Sequence, residues 1–471
     1  MIKKTFMYGF ALFLASVIMM LAEIPVGISL FFAGSAGIIT IAGVKSWFNA
    51  IGYFTQPILL NNAYIVIPMF LLMGQIASKS NISSNLVNAS QKVFGKMKSG
   101  VGIACIFTSA IFGAICGSSI ATISSLGNIF YQTMKRNGYS NELIFGIIAV
   151  GGTLGILIPP SIVLVVYAIA AQESIGKLFT ASIPPSIIAV IGYMITTYIL
   201  CIKNVYPKIN FEDNNFALEI NQNKEIESHI DPDRSLENIP EDKPKNILYK
   251  TMMGYGAILC FLSILIAMYR DLISPAECAS SISAIMILYK ISIDKLDNNR
   301  WIDLKSWLSI FDETAKSTGM IIFIFLGASI FNTALSLTSF PAHLSEFILS
   351  YSYQPLLIIL ILVIVFLLLG CIMDGLAMVL LFAPLLYPII TKLDILPREF
   401  IGIWFGVLML SLVEIGMITP PVGINLFVIK QTIKQLSNVN VTNSVKYFLI
   451  SDLIRIGILV FYPQIVLVFL K

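Results

Sequence analysis

The chain has 471 residues, of which 57% are hydrophobic and only 12% charged, with a mean hydropathy of +0.87. Water-soluble domains run at about 45–50% apolar and about 25% charged, so a soluble enzyme domain is excluded. The net charge of +4 argues against a nucleic-acid partner. The six cysteines form no Cys-x-x-Cys pair, and His229 and His343 stand far apart, so neither a disulfide framework nor a zinc cluster is indicated.

Crossing roughly 30 Å of hydrocarbon takes about 20 residues. Apolar runs predict crossings at 6–22, 27–44, 57–78, 142–171, 178–202, 251–268, 274–292, 318–336, 399–430 and 447–470. The first follows Met1-Ile-Lys-Lys and imitates a signal peptide. Glu23-Ile-Pro-Val-Gly offers no small-x-small cleavage site, so it reads as a retained span. Two further apolar segments, 101–134 and 355–391, are interrupted by Cys116-Gly-Ser-Ser-Ile and Gly370-Cys-Ile-Met-Asp-Gly. A water-facing turn is usually polar and charged, and these are small and nearly uncharged. Each segment is therefore predicted to be a re-entrant hairpin, its tip buried in protein or lining a wet cavity. Residues 203–250 carry 17 of the charges with little apolar periodicity. They read as a polar cytoplasmic linker, either a plain tether or a docking site for a regulator.

The basic residues test this map. Twenty-one Lys and Arg fall in the loops of one side, including 203–250, and eight on the other, with Arg455 inside a span. The richer side is cytoplasmic by the positive-inside rule, which places both termini outside. It also puts residues 1–202 and 251–471 in opposite orientations, as two inverted membrane repeats. Each half contains a hairpin, a short polar turn, a span and a Pro-Pro pair. Glu142 precedes Pro160 by 18 positions, and Glu399 precedes Pro421 by 22. Inverted repeats of this kind are the plan of secondary transporters. Proline removes an amide donor and clashes with the preceding turn, so the helices 142–171 and 399–430 are expected to break in mid-span. Unwound carbonyls then suit a cation such as Na⁺, and the restarting half-helix presents free amides to an anion. A simple packing kink is the alternative.

The segments Ile67–Gly74, Phe112–Thr122, Gly151–Ser161, Ser174–Phe179 and Ile418–Phe427 resemble the large membrane subunit of TRAP transporters, the DctM-like family of the ion-transporter superfamily. The resemblance covers nearly the whole chain apart from the linker. It implies an all-α, multi-pass protein of the bacterial inner membrane that imports organic acids with Na⁺ by an elevator motion. It also implies two partners: a small four-helix membrane subunit (DctQ-like), as a separate chain, and a periplasmic substrate-binding protein (DctP-like). The linker is longer and more acidic than the family pattern, and Cys116 stands where Ser or Ala is more usual.

Candidate ligands follow from the tips and breaks. Gly117, Ser118 and Ser119, with carbonyls around Gly152, Gly155 and Ile158, are expected to hold one Na⁺, since hard cations want several oxygens. The alternative is that these small residues merely let the hairpin pack closely. Thr122, one turn below the tip, is either a further ligand or an ordinary back-bonded threonine. Asp374 is the one acid at a hairpin tip, and a carboxylate in the membrane is by default a functional candidate. It is expected in or beside a second Na⁺ site with Gly370, Gly416 and Thr419. Ser118, Ser119, Thr122 and Asn425 are the candidate contacts for a substrate carboxylate, with a helix–helix hydrogen bond as the alternative for Asn425. Glu414 is a third acid in the site, a proton carrier or a cap. Asp452 and Arg455, spaced i, i+3, are expected to pair or snorkel. An enzyme finds no support, because no His/Glu zinc helix or Ser–His pair occurs. A stand-alone Na⁺/carboxylate symporter of the same superfamily and a passive channel are the other readings. Which acid is carried is not readable from the residues.

Overall fold

The computed structural model describes residues 2–80, 82–95, 97, 99–203, 244–270, 272–298, 304–351, 354–371, 373–393, 395–421 and 423–470. Among them there are helices, turns and no strand. The first part runs α1 (Ile2–Leu21), α2 (Val26–Ala42), α3 (Val44–Leu60), α4 (Val66–Ser78), α5 (Ile82–Phe94), α6 (Gly100–Cys116), α7 (Ser119–Arg136), α8 (Asn141–Leu157), α9 (Ile162–Ala171) and α10 (Ile175–Ile202). The second runs α11 (Pro244–Tyr269), α12 (Pro275–Asn298), α13 (Leu304–Leu337), α14 (Phe340–Tyr351), α15 (Pro355–Gly370), α16 (Gly375–Ile390), α17 (Arg398–Ile418), α18 (Ile424–Thr432) and α19 (Val441–Phe461).

Several helix starts carry a local reason. Ser140 caps α8 by accepting from Leu143 N, and Ser174 caps α10 by accepting from Lys177 N. At α12 the cap is reciprocal: Glu277 N donates to Ser274 Oγ, while Ser274 N donates to Glu277 Oε2 at 2.7 Å. Five described helices are long and apolar enough to cross a membrane, or six if the bent pair α3–α4 counts as one, and the remaining apolar helices are shorter. Large apolar side chains such as Phe10, Phe32, Leu262, Ile364 and Leu368 are exposed on the outside, as a hydrocarbon solvent permits.

Several expectations change. The run expected at 57–78 starts within α3, which extends back to Val44; the chain then bends by 67° into α4, where Asn61 takes extended backbone. The polar stretch 79–99 contains α5, whose Ile82, Leu86, Val87 and Ser90 form one buried face. α13 starts 14 residues before the expected 318, and α14 was not expected. The last helix stops at Phe461 rather than 470. Pro463 has no amide to continue the ladder, and a 3-10 turn, Pro463–Leu467, follows. Of the expected linker 203–250, residues 204–243 lie outside the described residues; Pro244–Lys250 already belong to α11. The crossing expected at 178–202 is the continuous α10, which carries Pro184 and Pro185 without a break.

Two packings organise the molecule. α2 and α13 approach to backbone contact: a methyl at Gly34 would lie 2.6 Å from Phe331 Cα, and one at Gly327 would lie 2.5 Å from Gly27 O. Small residues permit that distance. The second packing surrounds α8 and α17, the most enclosed apolar helices. α6 and α7 form a hairpin against α8, and α15 and α16 pack against α17.

Candidate functional site

Each hairpin tip sits on a helix break. In the first part, α6 ends at Gly117, whose φ of +61° is the left-handed conformation glycine tolerates, and Ser118 caps α7 by accepting from Ala121 N. The break between α8 and α9 is Ile158-Pro-Pro-Ser161, with a cis bond at Pro159–Pro160. In the second part, α15 ends at Gly370, and Asp374 caps α16 by accepting from Leu376 N at 3.2 Å. The break between α17 and α18 runs from Thr419 to Gly423, with a cis bond at Pro420–Pro421. Ser118 and Asp374 thus hold equivalent places.

The contact between tip and break also matches. A methyl at Gly113 would lie 2.6 Å from Gly155 Cα, and one at Gly416 would lie 2.5 Å from Gly370 Cα. Gly155 precedes Pro159 by four residues, as Gly416 precedes Pro420. Only glycine on both sides allows this approach.

Around the first contact, Ser118 O accepts from Thr122 Oγ1 at 2.8 Å and from Thr122 N at 3.2 Å. Both oxygens crowd Gly155, where an added methyl would be 2.9 Å from Ser118 O and 3.0 Å from Thr122 Oγ1. Pro160 O lies against Gly117. Carbonyl oxygens and a hydroxyl are hard donors of the kind an alkali cation takes. Pro160 O was not expected beside this tip. Gly152 lies against Ile123 and beside Ser119 O, at the edge of this group. The Ile158 side chain turns away into an apolar cavity of about 380 Å³ shared with Pro159, Phe261 and Tyr269; only its backbone faces the break.

Around the second contact, Gly370 O lies against Gly416. Gly423 N donates to Cys371 O at 3.4 Å, tying tip to break. Thr419 Oγ1 donates back to Ile415 O at 2.7 Å, which leaves its lone pairs free. Asp374 is spent partly on its capping bond. Gly370, Asp374, Gly416 and Thr419 are thus gathered at one tip and break, though in two short stretches.

The two units meet. α7 packs on α18, and α9 packs on α16, so the second arm of each hairpin lies against the second half of the other unit's broken helix. Ser119 Oγ donates to Asn425 Oδ1 at 3.0 Å, with Met417 Sδ at 4.0 Å. Ser119 and Asn425 are both buried, and Asn425 Nδ2 has no partner among the described residues. Gly423, at the cap position of α18, has no side chain to occupy the first amides. An unpaired buried amide beside an open helix N-terminus is a feature that a bound anionic group satisfies. Two further ties between the units were not foreseen: Tyr387 OH donates to Glu173 Oε1 and Tyr167 OH to Gly402 O, each at 2.7 Å.

Glu414 has a partner that was not expected. It faces α19, where Arg455 Nη1 is 2.7 Å from its Oε2, and Arg455 Nη2 is 3.0 Å from Asp452 Oδ1. All three are buried. The expected Asp452–Arg455 pair is present, without snorkelling.

The all-helical bundle with paired hairpins and broken helices has the fold of membrane transporters. It is similar to the YdaH transporter of Alcanivorax borkumensis (TM-score 0.59, 12% identity, 90% of this chain and 89% of that one). It is also similar to MtrF of Neisseria gonorrhoeae (TM-score 0.55, 14% identity, 90% and 86%). Residues 13–465 match the family model of the tripartite ATP-independent periplasmic transporter, DctM component, and the chain belongs to that family. The C4-dicarboxylate TRAP transporter large permease protein DctM of Pseudomonas aeruginosa is 30% identical over 364 residues (77% of this chain, 76% of the relative). The protein of the same name from Vibrio cholerae is 29% identical (92% and 91%), and its sialic acid TRAP transporter large permease SiaM is 24% identical (95% and 95%). These relatives are transporter permeases rather than enzymes.

Proposed function

We propose that this chain is the large membrane subunit of a Na⁺-coupled, binding-protein-dependent importer of an organic acid in the bacterial inner membrane. The observation that carries the reading is the meeting of Ser119 and Asn425, where two helix N-termini converge on an unpaired buried amide. Such a place recognises the anionic group common to dicarboxylates, sialic acids and sulfonates, the substrates for which relatives are named. Ser118, Ser119 and Thr122 from one unit and Asn425 from the other form the substrate contact.

Na⁺ occupies the oxygen groups at the two tips: Gly117, Ser118, Ser119, Gly152, Gly155 and the Ile158 backbone at one, Gly370, Asp374, Gly416 and Thr419 at the other. The matched Gly113–Gly155 and Gly370–Gly416 contacts support an inverted repeat of residues 1–202 and 251–471, joined by a cytoplasmic linker, with the hairpins re-entrant. Na⁺ binding orders the tips, the anion then joins them, and the hairpins with their broken helices slide as one body against the α2–α13 scaffold. A small four-helix membrane subunit and a periplasmic binding protein complete the system.

Reconstitution with the small subunit, with and without the binding protein, tests this reading. Uptake that needs the binding protein supports it. Uptake at the same rate without it means a stand-alone symporter instead.

A further inference from the structure

Behind the second break, three helices meet over a group of charges that the tips do not use. Asp452 and Arg455 come from α19, Glu414 from α17 and Tyr193 from α10, and all are at most 1% exposed. With every group ionised, two carboxylates face one guanidinium and the group is one negative charge out of balance. An unbalanced buried charge is costly. Arg455 stays charged under all ordinary conditions. It lies nearer to Glu414 (2.7 Å) than to Asp452 (3.0 Å), and neither approach is a well-directed hydrogen bond.

Asp452 depends on Tyr193. The phenol oxygen lies 2.7 Å from Oδ1 and 2.8 Å from Oδ2. One hydroxyl carries one proton and donates to one oxygen at a time. Two short approaches to the same phenol are both satisfied when the carboxyl also carries a proton: one carboxyl oxygen donates to the phenol, and the phenol donates to the other.

We propose that Asp452 is a proton-binding site, a neutral carboxylic acid that exchanges hydrogen bonds with Tyr193 and leaves Arg455 to balance an ionised Glu414. The surroundings hold no other candidate among the described residues. Of the helices packed on α19, α8 brings only Glu142, in its first turn, and α17 otherwise brings only Arg398 and Glu399, at its start. α10 brings Lys177 near its start and Tyr198 and Cys201 toward its end, and the Pro463–Leu467 turn brings none. On α19 itself, Lys446 and Tyr447 lie more than a turn away. The inference does not rest on the Na⁺ or substrate assignments.

Infrared spectroscopy of the purified full-length chain at neutral pH tests it, by comparing wild type with Asp452→Asn in H₂O and D₂O. The expected difference is the loss of one protonated-carboxyl C=O band, which is deuterium-sensitive in the wild type. Loss of only an ionised-carboxylate band overturns the proposal. If Asp452→Asn does not fold, Tyr193→Phe serves. There the protonated band is expected to move to higher frequency, because the carbonyl loses its phenol donor. An unmoved band contradicts the assignment.

Discussion

Ser119 and Asn425 stand 306 positions apart in the chain and 3.0 Å apart in space, the Ser119 hydroxyl donating to the Asn425 side-chain oxygen. Ser119 lies in the first turn of the hairpin arm α7 and Asn425 in the first turn of the half-helix α18, so the pair joins the first hairpin to the second broken helix. Any ligand seated on one helix end is thereby held against the other.

Removing either group should weaken substrate recognition rather than the fold. A lost hydrogen bond to a charged partner is worth about 1.5–3 kcal/mol. Asn425→Ala and Ser119→Ala are therefore expected to raise the substrate KM by about tenfold or more, with thermal stability nearly kept. Uptake kinetics beside a melting curve check this, and an unchanged KM in both variants would remove the pair from the site.

The tip–break glycines should be intolerant where other glycines are not. Gly416→Ala puts a methyl 2.5 Å from Gly370 Cα, and Gly113→Ala puts one 2.6 Å from Gly155 Cα. Backbone cannot yield as a side chain can, so a loss of about 1–3 kcal/mol is expected for each. Gly319→Ala, within α13 with open space around it, should be neutral or slightly stabilising, by up to about 1 kcal/mol of helix propensity. Detergent melting temperatures of the three variants separate the cases.

Asp374 caps α16 with one oxygen and stands at the second tip. Asp374→Asn keeps an acceptor for the cap and removes the charge. The variant is expected to fold and to need a several-fold higher Na⁺ concentration for half-maximal uptake. Unchanged Na⁺ dependence would take Asp374 out of the cation site and leave it as a cap alone.

Arg455→Met strips Glu414 of its counter-charge in the interior. Removing one partner of a buried pair costs about 3–5 kcal/mol, so this variant should melt well below wild type. Glu414→Gln added to it should recover much of the loss. A single Arg455→Met variant as stable as wild type would mean that Glu414 is not held there as an ionised partner.

The local features of the site were legible because they depend on local chemistry. Small, nearly uncharged interruptions marked Gly117-Ser118 and the stretch around Gly370 and Asp374 as tips, and Gly-rich stretches before proline pairs marked the breaks. The i, i+3 spacing of Asp452 and Arg455 also read correctly. α5 carried a signal that was passed over: Ile82, Leu86 and Val87 repeat at helical spacing inside a polar stretch. What could not be read is pairing across the chain. Nothing near Glu414 announces Arg455, and nothing near Ser119 announces Asn425, because the first contact is made by packing two helices of one unit and the second by packing the two units together. Pro184-Pro185, with no Gly-rich stretch before it, stays helical within the crossing expected at 178–202, while the two broken pairs lie against hairpin tips.

Na⁺ held at the two tips is proposed to drive import of the acid as Na⁺ moves down its own gradient. The direct measurement is uptake of labelled organic acid into proteoliposomes containing the chain, the small subunit and the loaded binding protein, with an inward Na⁺ gradient or with equal Na⁺ on both sides. Accumulation above equilibrium only with the gradient is the expected result. Accumulation to the same level without a Na⁺ gradient would contradict the account.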